Sequence, residues 1–348
     1  MHDRSRRISA FCLALFLAAT APALAEDQKR GSQNVSILEI DGVQTYKRSD
    51  GDRRIEIRSE GEIEFTPDWT GIARLSRGAE MRFEEEKDGA ERRLDVEPGN
   101  DGSPVYTWKI DGKERPFDAE GRKWLQEMLL QYVRGTGYDA EKRVAWFLKR
   151  QGPQGVLSEI SQIPGDYVAR IYFGHLFKNR LEAQVVQRAL EQAGREIGSD
   201  YELRQALVAA ANSQALAGAS AQAYTEAARS IGSDFEQRNA LSALLEKGRL
   251  DPRILTAALQ SAREIGSDFE LATLLVEAAK KTGLGDPAVR RAYVEAVGEI
   301  GSDFEQRRAL SAMAGRGDLS PEALLAVLQA AQGIGSDFEQ ATLLVEIA

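Results

Sequence analysis

The chain has 348 residues, 43% of them hydrophobic, and a formal net charge of −9. That supplies enough apolar material for two cores, and the acidic balance argues against nucleic acid or anionic lipid as partners. With one cysteine and two histidines in the whole sequence, disulfide frameworks, thiol chemistry and transition-metal sites have almost no material.

Residues 1–25 read as a targeting segment. Arg4, Arg6 and Arg7 make a basic start, Ile8 to Thr20 an apolar run, and Ala23-Leu24-Ala25 an Ala-x-Ala cleavage site. The run is short for a span, so we expect cleavage after Ala25, a periplasmic or secreted product and no stable membrane span. Cys12 follows Phe11, where a lipoprotein site wants a small residue, so it counts as an ordinary apolar residue of the run. Residues 26–35 are polar and are expected to form a flexible lead-in.

From Ser36 to about Phe117 the hydrophobic period is two. Ile55 and Ile57 alternate with Glu56 and Arg58, and Ile63 and Phe65 with Glu62 and Glu64; Met81, Phe83, Leu94, Val96, Tyr106, Trp108 and Ile110 continue the pattern. Asp88-Gly89 and Asp111-Gly112 stand where hairpin turns belong. This predicts an antiparallel meander with one apolar face and one densely charged, solvated face. Asp118 caps a following helix with Trp124, Leu125, Met128, Leu129, Tyr132 and Val133 on one side, placed to cover the sheet or to bridge sheet and solenoid. The expected domain spans 36–134, with Gly135-Thr136-Gly137 as a hinge.

Beyond the hinge the chain repeats itself. Ile197-Gly198-Ser199-Asp200-Tyr201-Glu202 returns in closely similar form at 231, 265, 300 and 334, and Ile163-Pro164-Gly165-Asp166-Tyr167 is a degenerate earlier copy. A period of about 34 residues marks stacked helical hairpins. Ser233 with Glu236 makes a capping box for a first helix over Asp234–Lys247, with Phe235 and Leu241 among its apolar contacts, and Gly248 stops it in a left-handed cap. Asp251-Pro252 then opens a second helix that ends at Ile265, the acid as N-cap and the proline in the first turn. Asp286-Pro287 and Ser320-Pro321 repeat this, with Gly283, Gly285, Gly315 and Gly317 as stops. Alternate units match best, so a block of about 69 residues is the duplicated element. The solenoid is assigned to 138–348, since Asp139, Glu141 and Arg143 match Asp234, Glu236 and Arg238 in spacing.

In length and layout these units resemble the tetratricopeptide and HEAT classes of α/α solenoid, without the tetratricopeptide Trp…Leu-Gly…Tyr…Pro signature. The Ser-Asp-Tyr/Phe-Glu units over residues 137–348 also resemble tracts in exported segments of bacterial antirepressor-type membrane peptidases and their secreted relatives. That resemblance implies an envelope sensing or regulatory setting. The peptidase chemistry does not carry over, because there is no His-Glu-x-x-His and no set of membrane spans.

No catalytic constellation stands out. His175 is the one histidine outside the first 25 residues, in an aromatic-rich helix, and reads as a packed or surface residue. No phosphate-binding loop appears, since no Lys-Ser/Thr follows the Gly-Ser pairs. The acids Asp200, Asp234, Asp268, Asp303 and Asp337, with Glu202, Glu236, Glu270, Glu305 and Glu339, are assigned to capping rather than to a calcium edge. Tyr167, Tyr201, Phe235, Phe269, Phe304 and Phe338 are assigned to the core between units. Arg204, Arg238 and Arg307, which face Ala272 and Ala341 in the other units, are candidate partner-binding residues for an acidic peptide, and Arg253, Arg290 and Arg291 vary in the second helices. Leu343, Leu344 and Ile347 form a candidate docking edge for a homodimer or a partner helix, together with Val345.

The expectation is thus an α+β protein: an N-terminal antiparallel β-meander with a packing helix, then an α/α solenoid of about 34-residue repeats. Its expected role is a non-enzymatic scaffold, without cofactor or metal, that binds a protein or peptide. The rivals are an envelope hydrolase working with two carboxylates and a calcium-dependent structural protein.

Overall fold

The computed structural model describes residues 33–246, 250–282, 284–316 and 320–348. The targeting segment and the stops at Gly248, Gly283 and Gly317 lie outside the described residues.

The N-terminal part is a seven-stranded antiparallel sheet in the order β1-β2-β3-β6-β7-β8-β9. Its strands are β1 Gln33–Ile40, β2 Val43–Asp50, β3 Arg53–Glu60, β6 Glu80–Lys87, β7 Ala90–Pro98, β8 Pro104–Ile110 and β9 Lys113–Arg115. The first strand begins at Gln33, inside the stretch expected to be a lead-in. Asp41-Gly42, Asp88-Gly89 and Asp111-Gly112 hold both turn residues at positive φ, the mirror-image turn that matches strand twist. Ile63 and Phe65 do not continue the meander. They belong to a separate hairpin of β4 Ile63–Phe65 and β5 Ile72–Leu75. Gly61 makes this departure possible: at φ 75° it lies so close to Ala79 that an added Cβ would sit 2.8 Å from the alanine's Cβ.

The predicted packing helix is α1, Ala119–Thr136, capped by Asp118 through the amides of Glu120 and Gly121. Trp124, Leu125, Met128, Leu129, Tyr132 and Val133 are all buried against Tyr46, Ile57, Phe83 and Trp108 of the sheet. The buried Glu85 pins it by accepting from the Trp124 indole and Arg53, both at 2.6 Å. The opposite face of the sheet pairs its own charges: Lys47 with Glu56 at 2.9 Å and Arg82 with Asp95 at 2.7 Å.

Gly135 is not part of a hinge. It lies against the Tyr46 ring, where an added Cβ would come within 2.2 Å, and Gly137 closes α1 in the left-handed region at φ 72°. The chain enters α2, Ala140–Ile160, which bends at Gly152-Pro153 and so holds both helices of an unmarked first hairpin. The junction is bonded rather than loose. Arg143, 2% exposed, donates to Glu159 at 2.5 Å and to the Tyr172 hydroxyl at 2.8 Å, and lies 4.8 Å from the Trp69 ring of the sheet domain. Arg134 grips the same Glu159 with two bonds of 3.0 and 2.8 Å.

The marked repeats follow as α3 Asp166–Phe177 and α4 Ala183–Glu196, α5 Asp200–Ser213 and α6 Ala219–Arg229, α7 Asp234–Leu245 and α8 Pro252–Ala262. Then come α9 Asp268–Lys281 and α10 Pro287–Val297, α11 Asp303–Ala314 and α12 Pro321–Ala331, and α13 Asp337–Ile347. The odd-numbered helices α3 to α13 pack side by side in one layer and the even-numbered helices in another. Leu203, Leu207, Leu241, Leu244, Leu255, Leu274, Leu275 and Leu310 fill one continuous interior between them. Serine and aspartate start the helices as expected: the Ser233 hydroxyl accepts from Glu236 N at 3.4 Å, and Asp251 from Arg253 N at 2.8 Å. Gly315 closes α11 with φ −67°, not in a left-handed cap.

The 69-residue duplication has a packing basis. Tyr224 on α6 and Tyr293 on α10 are fully buried and donate to Ala240 O at 2.7 Å and Ala309 O at 2.8 Å, stitching the even layer to the odd one. The intervening even helix has Ala258 at the matching position, where no such bond can form.

Candidate functional site

The solvent side of the odd layer carries the recurring side chains, and each unit grips the next. Asp166 accepts from Gly198 N at 2.9 Å, and Asp200 from Gly232 N at 3.0 Å. Asp234, Asp268 and Asp303 do the same for Gly266, Gly301 and Gly335 at 2.8, 2.9 and 2.8 Å. The aspartate assigned to capping is therefore a clasp across units.

The glutamate two positions on is equally occupied. Arg170 holds Glu202 at 2.8 Å, Arg204 holds Glu236 at 2.6 Å, Arg238 holds Glu270 at 2.7 Å, and Arg307 pairs with Glu339. Only half of the capping box forms, because the carboxylate that would reach back to its own serine is taken by the preceding unit's guanidinium. Arg204, Arg238 and Arg307 are thus not a free basic stripe. Each is mostly covered and already neutralised. Where Ala272 replaces the arginine, Arg308 takes over: its Nε lies 2.8 Å from Glu305, though not aligned for a hydrogen bond, and it donates to Thr273 Oγ1 at 2.8 Å.

The aromatic side chains overturn the expectation of an inter-unit core. Tyr167, Tyr201, Phe235, Phe269, Phe304 and Phe338 are between 49% and 74% exposed. The geometry of the helix gives the reason. Phe235 precedes the core residue Leu244 by nine residues, about two and a half turns, so it points away from the interior. Every ring but Phe338 has a guanidinium beside it. Arg170, Arg204, Arg238 and Arg307 lie 4.9, 4.9, 5.2 and 5.2 Å from the ring three residues earlier, and Arg308 lies 5.1 Å from Phe269. Cation–π contact and the arginine's ion pair hold each of these five rings in place. The adjoining surface of the odd helices is small and half-buried: Gly174, Val208, Ala209, Ala243, Val276 and Ala312.

The remaining sequence candidates divide. Leu343 is fully buried, so it belongs to the interior; Ile347 is partly covered by that core, and Leu344 is 45% exposed. Arg253 and Arg291 are exposed on even helices, and Arg290 faces the carbonyls of Leu284 and Gly285 at 3.4 and 3.3 Å. His175 is half-buried; burial, with Lys178 close by, holds its imidazole below the ordinary histidine range. Among the described residues no group of three or more His, Cys, Asp or Glu is placed to hold a metal ion. No described helix is long and apolar enough to cross a membrane.

Compared with protein-family models, curated proteins and solved structures, the chain has no significant match.

Proposed function

We propose that this chain is a non-enzymatic repeat scaffold, exported to the periplasm, that binds a protein or peptide partner along the odd-helix face. One observation carries the reading: six aromatic rings at equivalent positions, all about half-exposed or more. Stacking does not require them there, because the interior is complete without them. A row of exposed apolar rings is costly to keep in water and marks an interaction surface. Aromatic and arginine side chains are also those that most often anchor such surfaces. Export rests on the basic-apolar-Ala-x-Ala order of residues 1–25.

The test is a photoreactive residue placed at Phe235 or at Gln260 of the even face, in the native host. An adduct from 235 that disappears when Tyr201 and Phe269 are changed to alanine supports the reading. Equal capture from both positions, or none from 235, removes it.

A further inference from the structure

The rungs of this ladder have a spacing, a width and a charge, and together these select a ligand. Adjacent odd helices pack directly, so successive rings are one interhelical distance apart, about 8–10 Å. A polyproline II strand advances about 3.1 Å per residue with three residues per turn, or about 9 Å per turn. Every third residue would therefore meet a ring. A β-strand presents one face every second residue, about 7 Å, and falls out of step after one or two rungs.

The exposed apolar ridge is narrow: next to the rings the odd helices carry small, half-buried residues such as Val208, Ala243, Val276 and Ala312. Beside it run the Arg–Glu brackets. An amphipathic helix about 10–12 Å across would lay much of its apolar face on ion pairs. A narrow extended chain would not.

The unmatched charge along the row of rings is negative, because each guanidinium over a ring is already paired with a glutamate. Asp200, Asp234, Asp268 and Asp303 directly precede their rings and are held by one backbone amide each. Among the described residues no lysine or arginine forms an ion pair with these four, whereas the neighbouring Glu236 and Glu270 are neutralised. A carboxylate thus recurs with every ring, on a chain of net charge −9.

We propose that the ladder takes a cationic, proline-rich segment in the polyproline II conformation, laid across the odd helices at one turn per ring, with its prolines on the rings and its lysines or arginines towards the aspartates. This rests on the reading of the odd face as the binding face and narrows it to one ligand chemistry. Such a ligand is largely ordered before it binds, and aromatic-lined surfaces suit it.

The probe is a fluorescein-labelled (Pro-Pro-Arg)4 peptide, titrated into the full chain by fluorescence anisotropy. Its four turns span the rings from Tyr201 to Phe304. We expect binding that weakens by about tenfold in Phe235→Ala/Phe269→Ala. We also expect it to weaken severalfold in Asp234→Asn/Asp268→Asn at low salt, and stepwise as triplets are removed. Melting curves of both variants verify that they remain folded. No binding, equal binding by a block peptide of the same composition or by an arginine-rich amphipathic helix, or indifference to the alanine pair overturns the proposal. If the peptide fails while position 235 still cross-links selectively, the polyproline chemistry is wrong and the scaffold reading survives. If both fail, both readings fall.

Discussion

The two solvent-facing sides of the solenoid are made from the same duplicated unit, yet they have diverged in opposite ways. On the even side, one set of matching positions on successive helices is Arg188, Gln222, Thr256, Arg291 and Leu325, with no chemistry common to all five. On the odd side they are Tyr167, Tyr201, Phe235, Phe269, Phe304 and Phe338. Both sets lie outside the core, so packing alone cannot account for the contrast. Recurrence explained by stacking, as for the Asp–Gly clasps and Arg–Glu brackets, says how the units hold together. Recurrence that stacking does not explain says where a partner would lie.

The largest test separates ring from core. Leu244→Ala removes a fully buried side chain shared by both layers and should cost about 2–5 kcal/mol in chemical denaturation. Phe235→Ala should cost about 1 kcal/mol or less, the worth of an exposed cation–π contact. If the two substitutions cost the same, the ring is core and the contrast between the faces disappears.

The next test asks how firmly the layers are joined. Burial pushes the Tyr224 and Tyr293 hydroxyls well above the ordinary value of 10.0. A phenol held protonated in the native state stabilises fully below the pH at which its unfolded form ionises, and that stabilisation is lost as pH rises beyond it. The protein should therefore lose stability above pH about 10. Tyr224→Phe/Tyr293→Phe should flatten that alkaline decline while costing about 2 kcal/mol in total at neutral pH. The residual slope belongs to the other tyrosines that burial pushes up: Tyr132, to about 12, and Tyr46, Tyr106, Tyr138 and Tyr172.

A double-mutant cycle compares the faces by their ion pairs. Arg238 and Glu270 are 17% and 15% exposed, and we expect a coupling of about 1 kcal/mol. Arg263 and Glu299, the even-side pair across α8 and α10, are each 41% exposed and should show no coupling above error. Equal couplings would mean that the odd-side brackets are ordinary surface pairs and not part of the stack.

The repeat, the helix starts and the packing face of α1 could be read from the sequence because their causes are local. A serine or Asp-Pro caps the helix beside it, and Trp124 to Val133 share one helical stripe whatever they pack against. The β4-β5 hairpin could not be read that way, because alternation marks a strand without naming its sheet. The partners of Arg238 were hidden for a related reason: its glutamate lies 32 residues on, and only stacking brings the two together. The exposure of Phe235 was within reach. Its position relative to Leu241, Leu244 and Leu245 sets it off the apolar stripe, whereas recurrence alone does not distinguish a core position from a surface one.

The smallest effect is the most selective. Asp234 accepts from Gly266 N, and asparagine keeps an acceptor oxygen in the same place while losing the charge. Asp234→Asn should therefore change stability by less than about 1 kcal/mol, the worth of a first-turn acid at a helix dipole. Asp234→Ala also removes the acceptor. The Gly266 amide is exposed and rehydrates, so the further loss should stay near 1 kcal/mol. If the carboxylate serves only as a clasp, the asparagine variant will bind like the wild type at every salt concentration. If it also faces a cationic ligand, that variant alone will combine near-normal melting with weakened binding at low salt, and the deficit will shrink as salt screens the missing charge. Stability and recognition then separate at one atom, and the odd face differs from the even face by function as well as by composition.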